Sequence, residues 1–218
     1  VISQKHQAAA TLYLGVKTVE QRLRAYLESV GGLPADTWQI LTGYLEVDVY
    51  KRGEPLWKAG ERSDKIYFIG SGLVRLFFFD EKGQEVTVHF LTHDKFLADV
   101  DSLHSGTPSS VSAVAEEVTE VAVFKPSVLK KLEAEIYEWP SLLRKVSEKS
   151  LFEKVKMRNE LFQCEAKERY LLFLNYFPNV TNQVKAAHVA SFLSMSQYTL
   201  SHIKKELVQT DFLRNRKN

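Results

Sequence analysis

A single cysteine in 218 residues, Cys164, leaves no partner for an intrachain disulfide. It also leaves too few thiolates for a protein-held iron–sulfur cluster or a structural zinc site. Nothing beside it in sequence would lower its pKa, so Cys164 reads as a small packing residue. Long apolar runs are lacking too. Leu73 to Phe79 is interrupted by Arg75 and falls far short of the roughly 20 residues that a membrane-spanning helix needs. The N-terminus has no basic segment leading into a sustained apolar core and a small-residue cleavage site, so no secretory signal is expected. A cytoplasmic location without a membrane partner is the expectation. No nucleophile–base constellation and no phosphate-cradling glycine loop can be found, so a non-enzyme is expected, with no catalytic residues, metal or cofactor.

What is present is enough to build a core. Apolar residues make up 44% of the chain and aromatics 11%, at a length that fits one large domain or two unequal ones. The net charge of +2 conceals a gradient. From Lys185 onward six basic residues (Lys185, Lys204, Lys205, Arg214, Arg216, Lys217) face two acids (Glu206, Asp211), an excess of +4 that leaves −2 for the rest. A basic end suggests a polyanion partner, with a solvated tail as the alternative.

Residues 1–17 show no steady period and read as an extension. Thr18 and Gln21 resemble a capping box, and Leu23, Leu27 and Val30 recur at helical spacing until Gly31 and Gly32, which predicts a helix over Val19–Val30. A short helix carrying Trp38 and Leu41 inward follows Pro34. From Leu45 to Phe124 the period becomes two. Strands are expected at 45–50, 66–69, 73–79, 86–91, 111–115 and 118–124, divided by glycine-bearing turns. This pattern predicts an antiparallel β-barrel or jelly roll. After Pro126 the helical period returns and, apart from Pro140, holds to about Phe162. Leu143, Val146, Ser150, Met157 and Leu161 form a seam suited to pairing with a second copy, although Lys154 also falls on it. A helix lying on its own barrel would give the same pattern. Another helix is expected over 166–176.

The segment from Val184 to Leu207 has the organisation of a helix-turn-helix. Ala187, Ala190 and Leu193 line one short helix, Met195 plugs the turn, and Ser196 can cap a second helix whose apolar stripe is Leu200, Ile203 and Leu207. The opposite edge carries Gln197, Tyr198, Ser201, His202 and Lys205, with Thr199 beside them. Gln suits adenine, while Ser, His and Tyr can reach base edges or phosphates. Lys204 and Lys205 would add phosphate attraction. An ordinary two-helix corner with a polar solvent face is the alternative.

Taken together, the order of elements resembles the Crp/Fnr family of transcription regulators over about 19–213. The most specific pieces are Ala166–Leu174 (AKERYLLFL), Val189–Ser196 (VASFLSMS) and Thr199–Ile203 (TLSHI). In the barrel, Gly70–Arg75 (GSGLVR) matches a family turn and Asp94–Asp99 (DKFLAD) lies where the phosphate-binding cassette begins. The resemblance implies an α+β chain: a cyclic-nucleotide-binding-like sensor over 18–137 with flanking helices, a dimerisation helix over 138–163, and a winged helix-turn-helix over 164–218. It implies a homodimer on an inverted repeat of double-stranded DNA, with RNA polymerase and an unknown small-molecule effector as further partners.

The departures matter as well. Members that bind cyclic AMP carry a Gly-Glu pair for the ribose and, ten residues on, an Arg-Ser pair for the phosphate. Here the pairs read Ala98-Asp99 and Ser109-Ser110, flanked by Phe96 and Leu97 in the expected effector pocket. A serine offers one neutral donor where guanidinium gives a forked, charged contact, so no response to cyclic AMP or cyclic GMP is expected. The Arg-Glu pair of the cyclic-AMP-responsive recognition helix is replaced by Gln197-Tyr198, and a further Arg by His202, which implies a different operator. Ser194 stands where a turn glycine is common. Two other classes stay open: a cupin-like jelly roll binding metal through His89, His93 and His104, and a nucleotide-sensing module without DNA binding.

Overall fold

The structure is a computed structural model that describes residues 17–215, with side chains described through Gln209. Residues 1–16 of the expected extension, and the basic residues of the tail beyond Gln209, lie outside the described side chains.

Helix α1 (Val19–Val30) begins at Thr18, whose hydroxyl accepts the Gln21 N–H while the Gln21 side chain accepts the Thr18 N–H, a complete capping box. Helix α2 (Ala35–Gly43) follows Pro34. Eight strands then alternate with turns: β1 (Glu46–Tyr50), β2 (Pro55–Trp57), β3 (Ile66–Ser71), β4 (Val74–Phe79), β5 (Glu85–Leu91), β6 (Lys95–Leu97), β7 (Ser112–Ala115) and β8 (Thr119–Phe124), with helix α3 (Val100–Ser105) between β6 and β7. They form two antiparallel four-stranded sheets, β1-β8-β3-β6 and β2-β7-β4-β5. The arrangement is a jelly-roll sandwich and not the closed barrel that was the other expectation, since the two sheets share no strand. Two strands were not foreseen, β2 and β6. At three residues each they are too short to express a period of two.

Between the sheets the inward residues of alternating strands fill one core: Leu56, Trp57, Tyr67, Ile69, Val74, Leu97, Val121 and Val123. Glycine permits two close approaches around it. At Gly70 a methyl group would lie 2.5 Å from Val19 Cγ2, so glycine is what lets the start of α1 press onto β3 at this point. Gly72 has φ +98° and a methyl group there would meet Thr119 Cα at 2.6 Å.

Each sheet buries its outer face against helices. The first packs Phe68, Ala122 and Phe124 on α1, on α4 (Pro126–Glu135) and on the start of α5 (Trp139–Phe162) through Leu23, Leu27, Leu132, Trp139, Leu142 and Val146. The second packs Leu73 and Phe90 on the C-terminal helices α6 (Ala166–Tyr176), α7 (Val180–Gln183), α8 (Ala186–Phe192) and α9 (Gln197–Asn215). The molecule is therefore layered as helices, sheet, sheet, helices. The expected wing is not there among the described residues, where no strand follows Phe124. The chain continues as α9 through Asn215 instead.

Candidate nucleic-acid interface and sensor pocket

Helices α8 and α9 meet through a turn that local chemistry fixes. Ser194 sits at φ +51°, the left-handed position where glycine is usual. Around it the Met195 N–H donates to the Ala190 carbonyl at 3.0 Å and the Ser194 N–H to that of Ser191. The Ser196 hydroxyl accepts the Thr199 N–H at 3.0 Å and caps α9. Leu200 and Ile203 are buried with Val189, Ala190 and Leu193, and Met195 packs against them. Along the other edge Gln197, Tyr198, Ser201, His202 and Lys205 are exposed, Tyr198 at 82%, while Thr199 is half-buried beside its cap. Lys204 is different. It is half-buried, with its ammonium 5.8 Å from the Tyr170 ring.

One positioning residue was missed by the sequence reading. Arg169, inside the 166–174 motif, donates to the carbonyls of Leu161 (3.1 Å), Cys164 (3.0 Å) and Leu193 (2.8 Å). It thereby ties the end of α5 to the turn between α8 and α9. An arginine three residues into an amphipathic helix looks like surface, so periodicity alone conceals it.

In the expected effector pocket the polar side chains bond to one another. Asp99 caps α3, accepting the Ser102 N–H at 3.0 Å, and its other oxygen accepts the hydroxyl of Ser109. The Trp57 indole N–H donates to the same Ser109 oxygen at 3.1 Å, and Trp57 stacks on Tyr67. Ser109 is only 4% exposed, Ala98 is half-buried and Ser110 is exposed. Leu97 joins the core between the sheets, but Phe96 does not. As the neighbouring residue on a strand it points the other way, packing on Tyr26, Phe68 and Phe124, which corrects its assignment to the pocket. Cavities of about 230 and 310 Å³ do exist, but neither is lined by Asp99, Ser109 or Ser110.

The expected pairing seam on α5 also needs correction. Val146, Met157 and Leu161 are buried in their own chain, the first against α1 and the first sheet, the others against the C-terminal helices. Leu143 and Ser150 are half-buried. The helix instead leaves Leu151, Phe152, Val155 and Phe162 in solvent, Phe152 at 72%. The heptad rule had found the stripe that the chain uses on itself.

His89, His93 and His104 are not gathered. His89 faces Phe192, and burial, with Lys154 and Lys95 nearby, pushes its imidazole down to about 4. Among the described residues no group of three or more His, Cys, Asp or Glu side chains is placed to hold a metal ion. No described helix is long and apolar enough to cross a membrane.

Comparison with known proteins agrees with this architecture. The cyclic nucleotide-binding domain family matches residues 47–135. A curated relative, the cyclic AMP receptor protein of Thermus thermophilus, is 32% identical over 99 residues, 45% of this chain and 45% of that protein. The match thus spans under half of the relative's length. Among solved structures, the c-di-GMP-responsive global regulator CLP of Xanthomonas campestris superposes with TM-score 0.63 at 15% identity, over 83% of this chain and 94% of its own. A putative transcriptional regulator of the Crp/Fnr family from Eubacterium rectale gives TM-score 0.61 at 12% identity, over 82% and 85%. The chain thus matches the cyclic nucleotide-binding domain family over residues 47–135 and shares with these structures a fold in which such a sandwich is followed by a long helix and a C-terminal helical unit.

Proposed function

We propose that this protein is a DNA-binding transcription regulator that reads duplex DNA with the exposed edge of α9. The observation that carries the reading is the division of that helix. Leu200 and Ile203 are buried, while Gln197, Tyr198, Ser201, His202 and Lys205 stand in solvent on a capped, rigid element. Such a helix can enter a major groove with its polar edge against base edges and backbone. Two copies would pair along Leu151, Phe152, Val155 and Phe162 of α5, because an apolar stripe left in solvent by one chain gains by being covered. Their recognition helices would then address an inverted repeat with half-sites about 34 Å apart. The regulator would work in the cytoplasm and without catalysis. Cyclic AMP and cyclic GMP would not control it, since the position that the resemblance gives to the phosphate-binding arginine holds Ser109, whose hydroxyl is bonded to Asp99.

Selection from a random duplex pool tests the reading. Enriched inverted repeats with one-turn spacing support it. Failure to retain any duplex, even at low ionic strength, defeats it.

A further inference from the structure

Two reading edges can meet two half-sites at one separation only if each α9 keeps a fixed direction relative to the face on which the copies pair. That face is the stripe of Leu151, Phe152, Val155 and Phe162 on α5. Apolar packing holds the pieces between stripe and α9 together, since Met157 and Leu161 of α5 share one core with Phe173, Val189, Leu193 and Leu200. Packing of this kind is non-directional, and helix pairs show crossing angles that scatter by about 15–20°.

Direction comes from hydrogen bonds. Arg169 gives three, one from each nitrogen of its guanidinium: Nε to the Leu161 carbonyl at 3.1 Å, Nη2 to that of Cys164 at 3.0 Å and Nη1 to that of Leu193 at 2.8 Å. Leu161 belongs to the last turn of α5, and Leu193 is the residue that ends α8. One guanidinium thus bridges two helix C-termini, where carbonyls lack partners within the helix and the dipole draws a cation. Its carbon also lies 5.1 Å from the ring centre of Phe162, a member of the stripe. A planar fork with donors in set directions holds both helix ends at one angle. Along its flank α8 has another hold, on edge strand β5, where the Thr87 N–H donates to Ser191 Oγ at 3.0 Å and the Phe90 ring lies 5.3 Å from that of Phe192. Those contacts lead to the sensor sheet and not to α5.

We propose, resting on the DNA-reading dimer described above, that Arg169 is the positioning residue that sets the separation of the two half-sites. With half-sites about 34 Å apart, each reading edge stands about 17 Å from the dimer axis. A turn of about 15° at that radius moves the edge by about 4 Å, more than one base-pair step of about 3.4 Å. Holding the angle is therefore what makes one spacing better than the next. Base choice within a half-site belongs to the exposed edge of α9 and is independent of Arg169.

The test uses the full chain and duplexes that carry two copies of the selected half-site, with the spacing stepped by single base pairs, beside a duplex with one half-site. The wild-type chain should prefer one spacing. Arg169→Lys, which keeps the charge as a point ammonium, should lower the affinity ratio between that spacing and its neighbours several-fold, and Arg169→Met should lower it further. Base preference and affinity for the single half-site should not change. Melting curves and sedimentation velocity establish that the variants are folded dimers. Met157→Ala, which loosens the same junction through packing alone, should lower Tm and keep the spacing ratio. An unchanged ratio in folded, dimeric Arg169 variants is what a merely structural arginine gives and overturns the proposal, even where affinity falls at all spacings together. A larger loss of the ratio in Ser191→Ala assigns the spacing to the sensor sheet and overturns it as well. A wild-type chain that binds paired half-sites without regard to spacing removes the proposal and leaves DNA binding standing. One that ignores every duplex removes the DNA-reading function and the proposal with it.

Discussion

The Ser109 hydroxyl donates to Asp99, the residue that caps α3, so the side chains at the two positions that the resemblance assigns to a cyclic nucleotide are bonded to each other. The Trp57 indole N–H donates to the same Ser109 oxygen. Titration calorimetry with cyclic AMP or cyclic GMP should give no binding at micromolar concentration. Ser109→Arg should not restore it. The guanidinium would enter a site only 4% exposed beside stacked Trp57 and Tyr67, so the variant should lose about 1–3 kcal/mol of stability in denaturant unfolding.

The turn between α8 and α9 holds strain at one serine and relieves it at another. Ser194→Gly should raise stability by about 1 kcal/mol, because glycine adopts φ +51° freely. Ser196→Ala should lower it by about 1 kcal/mol through loss of the Thr199 cap. Chemical denaturation midpoints decide both signs.

Gln197→Ala and His202→Ala should relax base preference in pool selection while leaving affinity for mixed DNA nearly unchanged. Lys205→Ala should weaken binding to all sequences and reduce the salt slope by about 1. Lys204→Ala should do less, since Lys204 is half-buried over Tyr170.

Leu151→Glu and Phe152→Glu should convert a dimer to folded monomers in sedimentation velocity. Val146→Ala should leave the oligomeric state alone and cost about 2 kcal/mol of stability, because that side chain packs inside its own protomer.

His89 gives the fold an acid limit. Its pKa in the folded chain is lowered to about 4. Its contribution is therefore whole above about pH 6.5 and is lost as pH falls towards 4, up to about 3 kcal/mol. His89→Gln should flatten thermal stability across that interval.

The legible elements were those with a long, regular signal. Thr18 and Gln21 marked the start of α1, the glycine turns separated six of the eight strands, and Ser196 with Leu200 and Ile203 located α9. Strands β2 and β6 had too few residues for any period. The α5 stripe was misassigned because a heptad pattern records burial without saying against what, and Val146, Met157 and Leu161 found their partners within the chain. Arg75 was visible as a lone charge inside an apolar run. Its partners Glu85 and Glu116, and the His188 that meets both of them, lie elsewhere in the chain, up to 113 positions away in sequence, and no local pattern joins them.

The bond from Thr87 to Ser191 spans 104 positions. During synthesis β5 leaves the ribosome long before the helix that will shield its open margin. For that interval the nascent sandwich carries a bare strand border next to Phe90, the feature from which unwanted intermolecular pairing starts. Finishing the C-terminal helices promptly is thus a requirement for the first half of the molecule as much as for the second.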